Sequence, residues 1–259
     1  MKMKNKDVIM NKKVNAIIEA RMGSTRLPGK TMMQIVGKPS IELLVERLRL
    51  AKKIDDIILA TTTKHEDDVI EDFCRRKNVL CFRGSSEDVL NRVYNAAKAY
   101  ETDIIVEVTG DCPLLDPWLI DDCINIFLNS QYDYLSNFIE QSYPPGIDVQ
   151  IFTFRVLEEM EKLAKEQKYR EHVSLYILKH PTKYKMHNVA APIELTYPDW
   201  HLELDEYKDY ELIRLIYENL YFKNPQFTTS EIIALLKEHP EWLEINKDVH
   251  RVWEESRKD

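Results

Sequence analysis

The 259-residue sequence has little of what marks a secreted, membrane-spanning or nucleic-acid-binding chain. Cysteine occurs at Cys74, Cys81, Cys112 and Cys123, with no C-x-x-C pair and no histidine-rich partner segment. That pattern argues against zinc and redox motifs and fits buried, reduced thiols. No apolar run approaches the ~20 residues of a membrane span, so membrane insertion is not expected. The opening "MKMKNKDVIMNKK" is basic but lacks the apolar core of a signal peptide. We read residues 1–12 as a disordered leader and the chain as cytoplasmic. Positive charge is also short, 36 basic against 44 acidic side chains giving a net charge of −8. Affinity for nucleic acid rests mostly on neutralising phosphates with lysine and arginine, so no such partner is expected. A locally basic pocket stays open. Internal repeats and low-complexity linkers are missing too.

What is present is an ordinary globular composition, 44% apolar and 31% charged, on a chain long enough to bury one large core. "VNAIIEA" (14–20) is a short β-rich run. "PSIELLVERLRLAKK" follows with Ile41, Leu44, Val45 and Leu48 at helical spacing. "DDIILATTT" and "EDDVIEDFCRRK" repeat the strand–helix order. So do "VLCF" and "SSEDVLNRVYNAAKAY", the latter with Ser86 as cap and Val89, Val93, Ala96 and Ala97 on one face. "DIIVEVTGD" leads into "DPWLIDDCINIFLN", with Asp116 as cap and Pro117 in the first turn. Four successive β-α units predict an α/β fold with a doubly wound, mainly parallel sheet.

After residue 130 the pattern changes. "YDYLSN", "GIDVQIFTF", "KYKMHNVAAP" and "WHLELD" are expected strands. "VLEEMEKLAKEQ", "REHVSLYILKH" and "EYKDYELIRLIYENLY" are expected helices. From Thr228 two further helical patterns hold Trp242 and Trp253. The organisation predicted is a domain over 13–222, a sub-region inserted at 140–195 for acceptor binding or dimerisation, and a helical tail over 223–259.

Open parallel sheets bind ligands where strands lead into helices at their carboxyl ends. Three places qualify: the loop 21–31, "TGDCPLLDP" (109–117) and "LELDEY" (202–207). "RMGSTRLPGKT" resembles a P-loop but is miscounted, with five residues between Gly23 and Gly29-Lys30-Thr31, one of them Pro28. Pro28 has no N–H and a fixed φ, which impairs a backbone phosphate nest. Arg21, Arg26 and Lys30, with Ser24 and Thr25, supply side chains in its place, and guanidinium groups suit phosphate oxygens. A triphosphate is the ligand this suggests; a solvated basic turn is the plainer reading. Asp111 ends an apolar strand at the ligand edge and Asp205 ends "WHLELD", so the two could share one Mg²⁺ with water and phosphate oxygens. Either could instead be a helix cap. His172, in "YREHVSLY", and Asp148 are packing residues or acceptor-pocket residues, and Tyr143 and Trp200 are expected to pack.

Taken together, "AIIEARMGSTRLPGKTM", "DDIILATTTKHEDDVIEDFC", "VLCFRGSSEDVLNRVYNAAK", "VEVTGDCPLLDP" and "WHLELDEYKDYELIRLIYENL" resemble the cytidylyltransferase family. The branch they resemble most is the SpsF-like one of spore-coat polysaccharide biosynthesis, related to the enzymes that make CMP-activated sialic acid and 3-deoxy-manno-octulosonic acid (KDO). The resemblance runs from about residue 14 to 220. It implies the nucleotide-diphospho-sugar transferase fold, CTP and a small anionic acceptor as substrates, Mg²⁺ as cofactor and a homodimer. Ala20, Arg21, Met22, Gly23, Ser24, Arg26 and Lys30 resemble the family's triphosphate loop, and Arg92 falls where relatives place an arginine near the base. Asp111 and Asp205 resemble its metal aspartates, the second in an L-D-x-x-x-D context that includes Asp209. Arg21, Lys30 and Asp111 are the catalytic group implied.

Two places depart from the family. Glu19 stands where relatives carry glutamine or proline, and is expected to hold the base amino group or a lysine. "SYPPGIDVQ" lacks the acceptor-reading pattern of the KDO enzymes, which leaves the acceptor open. The alternatives are a UTP- or GTP-using nucleotidyltransferase, or a glycosyltransferase or sugar-nucleotide binder of the same fold. The latter usually carries D-x-D after a strand, whereas "TGDCP" has a single aspartate and "DDC" (121–123) sits inside a helix. No general base stands out.

Overall fold

Four parallel strands make the frame: β1 (Val14–Glu19), β4 (Asp56–Thr62), β5 (Leu80–Gly84) and β6 (Ile104–Thr109). This computed structural model describes residues 12–251, so the expected leader and the Trp253 pattern lie outside the described residues. β7 (Tyr134–Ser136), β8 (Gln150–Thr153) and β9 (Met186–Asn188) extend the same sheet, in the order β5-β4-β1-β6-β8-β7-β9. β8 runs antiparallel to β6 and to β7, so the sheet is mainly parallel with a reversed strand inside one flank. A small hairpin, β2 (Gln34–Ile35) and β3 (Lys38–Pro39), stands apart from it.

Helices cover both faces. α1 (Ser40–Leu48), α2 (Asp68–Lys77) and α4 (Pro117–Leu128) bury Ile41, Leu44, Phe73 and Ile124 against one face. α3 (Val89–Ala99) and α5 (Phe154–Leu163) bury Val93, Ala97, Val156 and Met160 against the other. β1 shows why the central strands read as unbroken apolar runs. Ala16 and Ile18 join the first core and Ile17 the second, because successive side chains point to opposite faces and both faces are covered. A third cluster, with Ile35, Leu114, Ile147, Leu202 and Leu204, gathers α8 (Tyr207–Leu220) and α9 (Thr229–Glu238) beneath the sheet's ligand edge.

Asp116 caps α4 as expected, accepting from the Trp118 and Leu119 N–H groups, with Pro117 in the first turn. Three local expectations are corrected. The cap of α3 is Asp88, accepting from Asn91 N at 2.9 Å, not Ser86. "REHVSLYILKH" is no single helix: α6 (Gln167–Glu171) stops at His172, which takes an extended conformation, before α7 (Leu175–Leu178). "WHLELD" joins no ladder. Its alternation reflects burial of Leu202 and Leu204 in the third core, while their N–H groups donate to Pro145 O and Asp111 O at 2.8 Å each. An extended segment anchored by loop carbonyls has the same period as a strand.

That anchoring demands glycine at 146. Its φ is +97°, and a Cβ there would lie 2.4 Å from the Leu202 carbonyl carbon and 2.5 Å from Glu203 N. Gly146→Ala is therefore expected to destabilise the fold by about 2 kcal/mol or more, through strain and displacement of 202–205 together. A thermal melt unchanged from wild type would show that this backbone contact is dispensable.

Candidate active site

The loop after β1 turns its own N–H groups inward. Met22 O accepts from Ser24 N and Gly29 N, both at 2.9 Å, and Leu27 O accepts from Lys30 N at 3.1 Å. Met22 N donates to Asp67 Oδ1 at 2.6 Å, and Thr31 Oγ1 to Arg21 O at 2.9 Å. Gly29 takes a left-handed φ of +76°, and a Cβ on Gly23 would fall 2.8 Å from Glu66 Oε1. With those amides engaged, Arg21, Ser24, Arg26 and Lys30 are the loop residues that border the cleft together with Thr25 and Thr31.

Lys30 is the centre of what it presents. Its ammonium lies 2.8 Å from Asp111 Oδ2 and 2.9 Å from Asp205 Oδ1, and Arg26 meets the other Asp205 oxygen at 2.9 Å. Two carboxylates from the ends of β6 and the 202–205 segment thus converge on one cation. Burial works against the Lys30 ammonium, but Asp111 and Asp205 outweigh it and raise its pKa. Burial also opposes ionisation of Asp111, yet the ammonium holds that carboxyl below the usual range. Asp205 is pushed up by burial and by the charge on Asp111. Asp111 carries its charge most readily, and Asp205 depends on the cations around it.

These groups sit at the waist of a cleft with two chambers. The outer one, about 470 Å³, is bounded by Ala20, Arg21, Ser24, Lys30 and Arg92. The inner one, about 250 Å³, is bounded by Glu107, Phe138, Asp148, Gln150 and Ser174. Glu19, Arg26, Thr109, Asp111, His172 and Asp205 border both. Gly110 lets the ends of β1 and β6 approach closely, since a Cβ there would come within 2.9 Å of Ala20 Cβ and of Glu19 O. Arg21 and Arg92 are steadied from behind by Ser86 O at 3.1 Å and Ser85 O at 2.6 Å. Burial lowers the Arg92 pKa, and its Nε has no hydrogen-bond partner.

The sequence-derived residues are therefore brought together, with differences in what each does. Met22 and Gly23 shape the loop and do not border the chambers. Asp148 and His172 border the inner chamber, and burial keeps the His172 pKa low. Tyr143 and Trp200 pack in the third core. Among the described residues no lysine pairs with Glu19; its carboxyl is in hydrogen-bond contact with Glu107, and burial raises both pKa values. Glu107, Thr109 and Glu203 were not read from the sequence. Glu19 pairs with Thr109 across β1 and β6, so Glu107 falls on the same face, a relation visible only once the strands are registered.

Asp209 is buried and faces away from the cleft as a brace. It accepts from Asp205 N at 3.2 Å and Glu206 N at 2.8 Å, completing a capping box at the start of α8. Its oxygens also take Asn246 Nδ2 at 2.8 Å and a two-pronged Arg251 at 2.8 and 3.1 Å. The backbone of Asp205 is thus tied to the far end of the described chain.

A family model for cytidylyltransferases matches residues 15–239. The chain belongs to the cytidylyltransferase family. As a member, it is a nucleotidyltransferase that moves CMP from CTP. It is 35% identical to the spore coat polysaccharide biosynthesis protein SpsF of Bacillus subtilis, over 87% of this chain and 94% of that one. It is 38% identical to an uncharacterised protein of Methanocaldococcus jannaschii, over 92% and 96% of the two chains. Among solved structures, a cytidylyltransferase from Leptospira borgpetersenii superposes with a TM-score of 0.87 at 32% identity, covering 93% of this chain and all of that one. Among the described residues no helix of this cytidylyltransferase is long and apolar enough to cross a membrane.

The brace gives a test. Removing one partner of a buried ion pair typically costs about 3–5 kcal/mol, because the other is left uncompensated. Arg251→Ala is expected to lose stability on that scale in denaturant unfolding and to lower CMP transfer, with Arg251→Lys retaining part of both. Unchanged stability would mean that Asp209 holds Asp205 without the tail.

Proposed function

We propose that this cytidylyltransferase joins CMP to a small acceptor through an anionic oxygen, in the supply of precursors for a surface polysaccharide. Sugar acids, sugar phosphates and phosphonates are the acceptor classes considered. The convergence of Lys30 and Arg26 on Asp111 and Asp205, at the waist between a basic outer chamber and a polar inner one, carries the reading. The likeness to a protein named for spore coat polysaccharide biosynthesis supports the pathway class.

Asp111 and Asp205 fit a divalent cation such as Mg²⁺. They offer hard oxygen donors already turned toward one positive charge, and among the described residues no third histidine, cysteine or carboxylate joins them. Phosphate oxygens and water would complete the set, as is usual for magnesium. Once bound, the ion would neutralise charge on the phosphate oxygens. The chain's own part follows from the geometry. Lys30 leaves the carboxylates for the outer phosphates, and Arg21 and Arg26 neutralise the departing pyrophosphate. Arg92 stands on the base side. Residues 140–195 supply the acceptor side, where Asp148 and His172 orient the acceptor. Its oxygen attacks the α-phosphorus in line, the new P–O bond forms, and the bond to pyrophosphate breaks.

Two outcomes are expected. Asp111→Asn or Asp205→Asn keeps shape but removes a metal-binding charge, and each should cost about a hundredfold or more in CTP-dependent pyrophosphate release. The melting temperature should fall because Lys30 loses a partner, so the assay is run well below it. Near wild-type release by both variants at limiting Mg²⁺ would exclude the shared ion. Lys30→Ala and Arg26→Ala should weaken CTP binding about ten- to a hundredfold, as expected for loss of a charge-assisted contact. CMP has no outer phosphates and should be much less affected. Calorimetric titration of both nucleotides decides it, since equal losses would mean that these side chains do not read the triphosphate.

A further inference from the structure

The two glutamates at the floor of the cleft have no part in the transfer derived above. Glu19 and Thr109 are register partners on β1 and β6, and Glu107 lies two residues before Thr109, on the same face of the sheet. All three side chains therefore point into the cleft, with Glu19 and Glu107 in contact. Glu107 is only 2% exposed and borders the inner chamber, and its buried Oε2 accepts from no N–H or O–H among the described residues. Two carboxylates this close and this poorly hydrated need a positive charge between them.

We propose that Glu19 and Glu107 form a receptor for an ammonium group, so that the acceptor carries a protonated primary amine at the end away from its attacking oxygen. This inference rests on the nucleotidyl-transfer reading above. A protonated amine brings one positive charge and three donors in a compact head, enough to bridge both glutamates and engage Glu107 Oε2. The bridging charge is otherwise a shared proton. Burial pushes both carboxyls up, and the charge on Glu19 pushes Glu107 further. Arg92 and Arg21 attract Glu19, and Asp111 repels it, whereas among the described residues the charge that acts on Glu107 is that of Glu19. The amine is thus drawn to the Glu107 side, within the inner chamber. With an anionic oxygen at the waist and an ammonium toward Glu107, the acceptor is zwitterionic. Amino sugar acids, amino sugar phosphates and aminoalkylphosphonates share that chemistry.

Matched probes test it. Glucosamine 6-phosphate against glucose 6-phosphate, 2-aminoethylphosphonate against 2-hydroxyethylphosphonate, and 8-amino-8-deoxy-KDO against KDO differ at one amine. Each is titrated calorimetrically into protein saturated with α,β-methylene-CTP and Mg²⁺. In at least one pair the amine is expected to bind about ten- to a hundredfold tighter, the scale of a charge-assisted contact. Glu107→Gln should remove that preference with CTP affinity kept, and Glu19→Gln should reduce it. An absence of amine preference in every pair, including no binding at all, overturns the receptor. So does a preference that survives both variants. Failure of the unaltered protein to bind CTP would sink the nucleotidyl reading along with it, whereas CTP binding without amine preference sinks the receptor alone.

Discussion

The Lys30 ammonium, held between Asp111 and Asp205, is the contact on which the ligand edge depends. The partners lie 81 and 175 residues from the lysine along the chain, so one cation ties together the loop after β1, the end of β6 and the segment before α8. Desolvated carboxylates facing each other would spread these three pieces apart. A group that bridges them closes the waist, and a group that can also move lets the waist trade one cation for another. A flexible four-carbon stem with a point charge does this better than a planar guanidinium. Among the described residues the neighbouring Arg26 pairs with Asp205 and leaves Asp111 to the lysine.

Topology explains why the site forms there. Counting only parallel strands, the chain runs outward from β1 through β4 to β5, then returns to place β6 on the other side of β1. The loops leaving β1 and β6 diverge at that reversal and open a crevice, the general position of ligands in such sheets. Beyond β6 the sheet turns antiparallel, and β8 brings Gln150 beside Glu107 in register. The inner chamber is therefore made where parallel and antiparallel parts meet, and the outer chamber is lined mostly by the parallel part, with Glu171, His172 and Asp205 completing it. The two chambers proposed for nucleotide and acceptor thus differ in construction.

Legibility followed the range of the interactions. The β-α alternation, the Asp116 cap and the cationic loop are set by neighbours in sequence, and the residues alone show them. Asp111 and Asp205 could be picked out separately because each ends an extended run at a predictable edge. That Lys30 sits between them could not, since the contact exists only after the third core has pulled 202–205 beneath β6. Glu107 was hidden for another reason. A single glutamate inside an apolar strand has no meaning until the neighbouring strand brings Glu19 to the same face, opposite Thr109. "WHLELD" misled because burial of Leu202 and Leu204 imposes the alternation of a strand on a segment whose amides bond to loops.

The bond from Arg251 to Asp209, and from Asp209 to the backbone of Asp205, bears on how the protein comes into being. A chain emerging from the ribosome forms the parallel sheet, the cationic loop and Asp111 from its first half. Asp205 follows late, and its brace later still, since Asn246 and Arg251 must be made before Asp209 is fully engaged. The growing polypeptide therefore carries the basic loop and Asp111 well before it carries the segment and the brace that set Asp205 against them.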